Sequence, residues 1–306
     1  MSPNNRKQAY IPEGAIPIEN PVGTAPGFIV EQDGKAIISV PGVPHEMRYF
    51  LEYRVLPYLR KRLGIHEVIV SRILKLFGVG ESVVDETLKD LIEEGTNPTI
   101  GLLAHTQIGE IHVRLTAKAA EKARADALNA ALEEKIRQRL KDFIFGADEE
   151  TFEGILSSLL SRANLTLSVA ETSFGSSVIQ TLKTLEGNAN FFRLGLTVVS
   201  PEMAQRVLHA PEEVFKSKGL VSMEAAKTLA QGVRHLSGAD LGLGITGRQE
   251  KEKDQDHLVY IALAHPLRTD CLEQRWPSAM RFIESRMTKM ALARVRQYLI
   301  QQGDPP

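Results

Sequence analysis

Side chains that could do chemistry cluster in the segment ETSFGSS, which supplies one carboxylate and several hydroxyl groups. The apolar run before it predicts a strand over 165–170, and the run after it predicts a helix over 178–185. Proteins that alternate strands and helices bind ligands at the carboxyl ends of their strands. The sequence therefore predicts a ligand site in this loop, and its members are Glu171, Thr172, Ser173, Gly175 and Ser176.

A second candidate site is formed by glycines and prolines near the amino terminus. The small-residue turn GTAPG precedes a predicted strand, and PGVP separates a second strand from a predicted helix. The first N–H groups of a helix have no partner within it, so such a segment can receive a phosphate. Glycine and proline more often mark turns, and spacing alone favours that interpretation. The candidate phosphate contacts are Gly23, Thr24, Pro41, Gly42 and Pro44.

The elements predicted around these glycines are few. Apolar runs on both sides of an Asp-Gly pair predict a β-hairpin. Apolar residues at spacings of three and four predict a helix over 45–63, which Pro57 is expected to kink. A hairpin and one helix cannot cover both faces of an α/β sheet. We therefore expect half of this domain to lie upstream of the chain, leaving an apolar face of residues 1–64 exposed.

The rest of the chain divides into two predicted domains. Residues 65–146 follow the order β-α-β-β-α, which can form a small sheet with both helices on one face. Residues 147–306 alternate helices and strands, which indicates an α/β domain. Strands are predicted at 68–77, 99–105, 110–116, 165–170, 193–199, 241–246, 258–264 and 270–275, and helices at 81–94, 119–142, 149–161, 178–185, 201–208, 222–236 and 278–301.

Composition and charge exclude several classes of protein. The 306 residues are 43% hydrophobic and 25% charged, which is typical of globular domains. Lysine and arginine number 37 against 38 aspartates and glutamates, so no strong field would attract nucleic acid or a membrane surface. Cys271 is the only cysteine, and the first residues contain no apolar segment typical of a signal peptide. We therefore expect a cytoplasmic protein without nucleic-acid or membrane partners.

Several motifs resemble, in order, those of the CinA family. The runs NRKQAYIPEGAIPIENPVGTAPGF and GKAIISVPGVPHEM are similar to the second half of its molybdopterin-binding-type domain. FGVGES resembles its KH-type module, and FGADEETFEGILSSLLSRANLTLSVAETSFGSS resembles the start of its C-terminal domain. The resemblance implies a multidomain α/β and α+β fold. Its parts are a partial molybdopterin-binding-like α/β segment (1–64), a KH-like α+β module (65–146) and a C-terminal α/β CinA domain (147–306).

The resemblance also implies activities. In this family the first domain resembles an ADP-ribose pyrophosphatase and the C-terminal domain a nicotinamide mononucleotide amidohydrolase. The amidohydrolase pattern Glu-Ser-Cys-Thr-Gly-Gly falls on residues 171–176, and Thr172 stands at the position of the serine nucleophile. A hydroxyl needs a base or a nearby charge to become an effective nucleophile. The family's tyrosine and lysine, which would provide that help, are replaced by Val199 and Ala204.

A third change affects the glycine-rich loop that the resemblance places beside Thr246 and Gly247, two further candidate substrate contacts. Residues 248–254 are mostly charged instead. Three substitutions at one site predict a degenerate deamidase that binds a nucleotide ligand, ADP-ribose or nicotinamide mononucleotide-like, without hydrolysing it. The alternative is an active enzyme of pyridine-nucleotide salvage. It would be an amidohydrolase in which Thr172 or Ser173 works with a base from elsewhere, an ADP-ribose pyrophosphatase in its full-length form, or both.

Cofactor and partner expectations follow from the same resemblance. Pyrophosphate hydrolysis needs a metal ion held by carboxylates, and the family's acidic motifs have no counterpart here. We therefore expect magnesium only together with the missing half. His105 and His112 flank the middle hairpin without a third ligand, so no metal site is predicted. CinA proteins are dimers, which implies a homodimer, and the chain lacks the basic Gly-x-x-Gly loop with which KH modules bind RNA.

Overall fold

The computed structural model describes Lys7 and residues 10–64, 67–172, 177–248, 256–277 and 279–303. The strands within these residues are β1 (Ile16–Ile18), β2 (Gly27–Gln32), β3 (Lys35–Ser39), β4 (Val68–Phe77), β5 (Thr99–His105), β6 (Glu110–Ala119), β7 (Ile144–Ala147), β8 (Leu167–Thr172), β9 (Phe192–Val198), β10 (Leu241–Arg248), β11 (His257–Ala264) and β12 (Thr269–Trp276). The helices are α1 (Pro44–Phe50), α2 (Leu56–Leu63), α3 (Glu81–Glu94), α4 (Lys122–Leu140), α5 (Phe152–Ala163), α6 (Ser177–Thr184), α7 (Asn188–Phe191), α8 (Pro201–Leu208), α9 (Glu212–Lys218), α10 (Met223–Ser237) and α11 (Ile283–Gln301).

The chain forms two compact units. The first contains the residues up to Ile69 together with Lys118–Ala125. The second contains Val70–Ala117 and the residues from Asp126 onward. The candidate phosphate contacts belong to the first unit and the candidate ligand loop to the second, so each candidate site lies within one unit.

The first unit is built on an antiparallel sheet of β1, β2 and β3. The predicted hairpin is confirmed, because Gln32 pairs with Lys35 across two residues with positive φ, as a type I′ turn requires. Its small core contains Ile18, Ile29 and Phe50. Large apolar side chains are exposed in this unit, as predicted. They include Ile16, Ile37, Val43, Met47, Leu51, Tyr53, Leu56 and Leu63.

The predicted helix over 45–63 forms as α1 and α2, joined by a π-helical turn at Leu51–Val55. Proline has no N–H group, and its ring clashes with the carbonyl four residues earlier. For Pro57 that carbonyl belongs to Tyr53, which lies inside the π turn. A π turn widens the helix by one residue and makes room for such a ring. The proline therefore disturbs the helix in the turn that precedes it.

Four strands form a sheet in the order β5-β6-β4-β7. We call this sheet, together with α3 and α4, the middle module. Strands β4 and β5 and helix α3 have the predicted bounds. The prediction of three strands was wrong, because β7 pairs with β4, with Leu74 opposite Ala147. This strand has four residues, too few for a period of two to become visible. Leu74, Leu88 and Ile136 belong to the buried core of the module.

Five strands in the order β12-β11-β10-β8-β9 form the second sheet. Strand β8 lies inside it and runs parallel to both β9 and β10. Side chains alternate along β8, so Leu167 and Val169 pack against α5 and α11, whereas Ala170 packs against α8 and α10. Helices thus cover both faces, which confirms the predicted α/β domain. Helix α9 was not predicted, and the last helix begins at Ile283 rather than at 278.

Helix α10 lies directly on strand β10, where two glycines face it. A Cβ atom on Gly244 would lie 2.1 Å from the carbonyl oxygen of Ala226. A Cβ atom on Gly242 would lie 2.1 Å from the carbonyl oxygen of Ala230. No side chain fits at either position, because carbon and oxygen repel strongly at such distances. The close approach of this helix therefore depends on both glycines.

We expect Gly244→Ala to lower the melting temperature by about 2–12 °C. Overpacking costs roughly 1–3 kcal/mol, and each kcal/mol shifts the melting temperature of a domain of this size by about 2–4 °C. Gly101→Ala is the matched control, since its added Cβ meets nothing within 4 Å. Scanning calorimetry of the two variants checks the prediction, and equal melting temperatures would contradict it.

Candidate functional site

The predicted ligand loop begins later in the structure than the sequence indicated. Glu171 and Thr172 are the last two residues of β8, not the first residues of a loop. Strand β8 has a partner strand on each side, and pairing with β9 continues through both residues. The prediction that the strand ends at Ala170 was therefore wrong. Ser173, Gly175 and Ser176 lie outside the described residues.

Adjacent residues of a strand point to opposite faces of its sheet, and this separates the side chains of Glu171 and Thr172. Glu171 points toward α6, because its Oε1 accepts a hydrogen bond of 3.3 Å from the backbone N–H of Ile179. Thr172 shares a face with Ala170, which packs in the core against α8 and α10. The structure therefore brings these two predicted site residues to the same sheet edge but not to the same face.

The Glu171 carboxyl is buried, with 1% of its residue surface exposed. Burial raises its pKa to about 7, although the backbone N–H groups of Ile179 and Val178 favour the charged form. These N–H groups belong to the first turn of α6, so the carboxyl caps this helix. A carboxyl with a pKa near 7 can also give or accept a proton at neutral pH.

The Thr172 hydroxyl is buried in apolar surroundings. Its Oγ1 atom has no hydrogen-bond partner among the described residues. Val198, the residue paired with Thr172 on β9, belongs with Ala170 and Ala204 to one buried cluster. None of these three side chains can accept a proton. The described surroundings thus leave the hydroxyl without an activating base.

Thr246 was predicted to end a strand and Gly247 to begin a loop, but both residues belong to β10. Gly247 pairs with Val259 in the hairpin that β10 forms with β11, because this antiparallel pairing continues to Arg248. Thr246 is fully buried, and its Oγ1 donates a hydrogen bond of 3.4 Å to the carbonyl of Ser222. Thr246 therefore lies beside the amino-terminal end of α10, which Ser222 caps.

Val199 and Ala204, which the resemblance aligns with the family's tyrosine and lysine, have different environments. Val199 is 67% exposed just after β9. Ala204 is fully buried in α8, whose first turn is capped by Ser200 through a hydrogen bond from the N–H of Met203. Only Ala204 shares the buried cluster of Ala170 and Val198. The substitution at 204 therefore bears directly on the surroundings of the Thr172 hydroxyl.

In the first unit, the two halves of the predicted phosphate site lie together. Asn20, just before the glycine turn, donates a hydrogen bond of 2.7 Å to Oε2 of Glu46 in α1. The same amide donates to the carbonyl of Ala25. A Cβ on Gly23 would lie 2.3 Å from the Glu46 carboxyl, so this carboxylate sits against the turn. Its negative charge opposes the binding of a phosphate at that position.

Pro41, Gly42 and Pro44 lead into helix α1, and Pro44 is its first residue. The helix has no side chain that caps its first turn among the described residues. A Cβ on Gly42 would meet nothing within 4 Å, so space is present beside this glycine. Thr24 lies in the glycine turn against which the Glu46 carboxylate packs.

A buried cluster that sequence reasoning missed joins the middle module to helix α11. Lys289 of α11 forms an ion pair with Glu110 at the start of β6, and both residues are buried. The second oxygen of Glu110 lies 3.0 Å from Nε2 of His112, whose ring is 4.1 Å from that of His105. Burial lowers the pKa of His112, and the hydrogen bond to Glu110 partly offsets this. No local pattern relates residues so far apart in sequence.

The described residues contain no group of three or more histidine, cysteine, aspartate or glutamate side chains placed to hold a metal ion. His105 and His112 stack on each other rather than converge on a shared position. Among the helices of the described residues, none is long and apolar enough to cross a membrane.

The fold and the site define a multidomain protein in which an α+β module with a four-stranded sheet precedes an α/β domain with a buried strand end. The family model described as "Damage-inducible protein CinA KH domain" matches residues 71–146. The model of the "CinA C-terminal domain" matches residues 149–299. A competence-damage inducible protein of Caldicellulosiruptor bescii is 38% identical over 300 residues, which are 97% of this chain and 72% of the relative. The chain therefore belongs to the CinA family.

Other relatives differ in how much of their length is matched. A competence-damage inducible protein of Moorella thermoacetica is 41% identical over 247 residues, which are 81% of this chain and 59% of the relative. The chain thus spans less than two thirds of that protein. Among solved structures, a CinA superfamily protein from Enterobacter cloacae is 23% identical with a TM-score of 0.45 and covers 50% of this chain and 95% of its own.

The raised pKa of Glu171 predicts a pH dependence of stability. Because the folded value of about 7 lies above the reference value of 4.5, the neutral carboxyl stabilises the folded state below pH 4.5. That stabilisation is lost as the pH rises through 7. Relative to Glu171→Gln, the wild type should lose roughly 3 kcal/mol of unfolding free energy over this range, since one pKa unit corresponds to about 1.4 kcal/mol.

Urea unfolding of both proteins between pH 4.5 and 8 measures this difference. Glu134→Gln is the matched control, because Glu134 is exposed on α4. A constant difference between wild type and Glu171→Gln at every pH would contradict a carboxyl that titrates near neutrality.

Proposed function

We propose that this chain is a nucleotide-binding CinA protein that does not hydrolyse the amide of nicotinamide mononucleotide. The proposal rests on one observation, the buried Thr172 hydroxyl without a hydrogen-bond partner among the described residues. An unsatisfied buried hydroxyl is costly, so a ligand that offers it a polar atom would gain binding energy. The part of the chain that the structure describes gives this hydroxyl no base, so it would bind the ligand without attacking it.

The helix ends at this sheet edge support a ligand with a phosphate group. Helices α8 and α10 begin beside the ends of β9 and β10, and Ser200 and Ser222 cap them. The amino-terminal ends of helices carry partial positive charge and favour anions. Together with the Thr172 hydroxyl, they form a polar edge suited to a small phosphorylated nucleoside.

The absence of turnover follows from the apolar cluster around Thr172. General acid–base catalysis contributes about a hundredfold to ten-thousandfold in rate, and the side chains of Val198 and Ala204 cannot provide it. Glu171 is adjacent in sequence, but its carboxyl points to the opposite face of β8 and caps α6. It therefore cannot take the proton of Thr172.

A second candidate function is amidohydrolysis with Glu171 as the general base. The observation that favours it is the pKa of about 7, which suits a base at neutral pH. Since Thr172 lies on the other face, this base would serve a different hydroxyl or a water molecule. The two candidates therefore differ in whether the wild type releases ammonia and in whether Glu171→Gln abolishes that release.

Titration calorimetry with nicotinamide mononucleotide and an ammonia assay on the same samples test both candidates. We expect saturable heat and no ammonia from the wild type. Thr172→Val replaces only the hydroxyl and should weaken binding roughly fivefold to tenfold, the value of one hydrogen bond. Thr184→Val is the matched control, because this exposed threonine on α6 bonds only the carbonyl of Thr181.

Each alternative result has a separate meaning. Ammonia release that Thr172→Val abolishes would overturn the proposal and establish Thr172 as a nucleophile. Ammonia release that survives in Thr172→Val and is lost in Glu171→Gln would support the second candidate. A lack of heat at millimolar ligand would exclude this nucleotide as the ligand.

We also propose that the chain does not hydrolyse ADP-ribose. The Glu46 carboxylate against Gly23 repels a phosphate, and the described residues include no group of three or more histidine, cysteine, aspartate or glutamate side chains placed to hold a metal ion. We expect no AMP when the purified chain is incubated with ADP-ribose and magnesium. Magnesium-dependent release of AMP, measured by chromatography and lost on addition of a chelator, would contradict this expectation.

A further inference from the structure

We propose that helix α11 couples the middle module to the ligand site through two consecutive residues, Lys289 and Thr288. The inference concerns regulation of that site and so rests on the proposed function. Lys289 binds the middle module through Glu110. Thr288 contacts the first residue of α6, which begins beside the end of β8. Consecutive helical residues are about 100° apart around the axis, so one helix faces both neighbours at the same level.

The contact with the middle module is strongly held. Lys289 and Glu110 are each more than nine-tenths buried, and an uncompensated charge in such a position is costly. The Lys289 ammonium also lies 5.8 Å and 5.6 Å from the ring centres of Phe145 and Phe152. Cation–π attraction adds to the ion pair at such distances. The ammonium therefore has one well-defined position.

Two further bonds fix the same helix to the same hairpin. Nη2 and Nε of Arg286 donate to the carbonyl of Thr106, at 2.6 Å and 3.1 Å, in the turn between β5 and β6. His112 holds the second oxygen of Glu110 and so orients this carboxylate toward Lys289. A displacement of this hairpin would therefore move α11, or leave buried charges without partners.

A hydrogen bond between side chains joins α11 to the start of α6, beside the buried core cluster that the two helices share. Oγ1 of Thr288 lies 2.7 Å from Oγ of Ser177 and 2.8 Å from the carbonyl of Glu284 in its own helix. Ser177 is the first residue of α6, and the next two N–H groups of this helix face the Glu171 carboxyl. Thr288 thus steadies the helix start that Glu171 caps.

We expect the middle module and the start of α6 to be coupled because both contacts lie on one continuous helix. Residues 283–301 form one α-helix, in which Thr288 and Lys289 are part of the buried face. Because the two residues are adjacent in this helix, a displacement of α11 at Lys289 would also displace Thr288 and change the support of the start of α6. The middle module would in this way set how well ordered the ligand site is before any ligand arrives.

Hydrogen exchange of the full chain, measured by mass spectrometry without ligand, tests this coupling. We expect Glu110→Gln, which lies in the middle module, to speed amide exchange in the peptide 177–184 roughly tenfold by weakening the order of α6. Thr288→Val should have the same effect from the other end of the connection. Glu134→Gln is the matched control, because Glu134 is exposed on α4, and it should leave that peptide unchanged.

The double variant Glu110→Gln/Thr288→Val makes the test specific. If one connection carries the effect, the double variant should exchange no faster than Thr288→Val alone. Unchanged exchange in Glu110→Gln, or effects of the two substitutions that multiply, would overturn the proposal. Both substitutions keep side-chain size, and circular dichroism confirms that the variants are folded.

Failure of the proposed function would look different. If the wild type gives no heat with nicotinamide mononucleotide while Glu110→Gln still speeds exchange in α6, the ligand assignment fails and the coupling remains. If the nucleotide binds, Thr288→Val should weaken it about fivefold, within the usual range of coupling energies. Binding equal to wild type in a variant with faster exchange would show that α6 does not contribute to the ligand site and would overturn the regulatory inference.

Discussion

Burial of strand β8 on both faces is the constraint on which the rest of the candidate site depends. A strand in this position must place every side chain in one of two cores, and its period of two decides which. Glu171 consequently loses contact with water and takes the first N–H groups of α6 as partners. Thr172 is buried on the face of Ala170 and pairs with Val198, and both of these residues belong to an apolar cluster. The chemistry that each residue can do follows from the face it occupies.

This separation gives the substitutions at 199 and 204 unequal weight. Val199 is exposed, and its replacement of an aromatic residue leaves the buried cluster unchanged. Ala204 is part of that cluster, so an amine at this position would have stood on the same face as the Thr172 hydroxyl. In the first unit, the Glu46 carboxylate disfavours the predicted phosphate site, since it puts negative charge where a phosphate would need positive charge.

Long elements with a regular apolar pattern could be predicted from the sequence, and α3, β4 and β5 have the predicted bounds. Short elements could not, since β7 has four residues and carries too little pattern. The strand that precedes the candidate ligand loop was also predicted, but the end of β8 was placed two residues early because Glu171 and Thr172 are polar. The pair of Glu110 and Lys289 could not be found, since tertiary packing alone brings these residues together.

Gly242 and Gly244 allow the backbone of α10 to rest on β10 instead of being held away by side chains. The electrostatic potential at a helix terminus decreases steeply over a few ångströms. The start of this 15-residue helix therefore lies nearer to the strand ends than it would if larger side chains separated the two elements. Two positions without a side chain thus help to determine how strongly an anion is attracted to this edge.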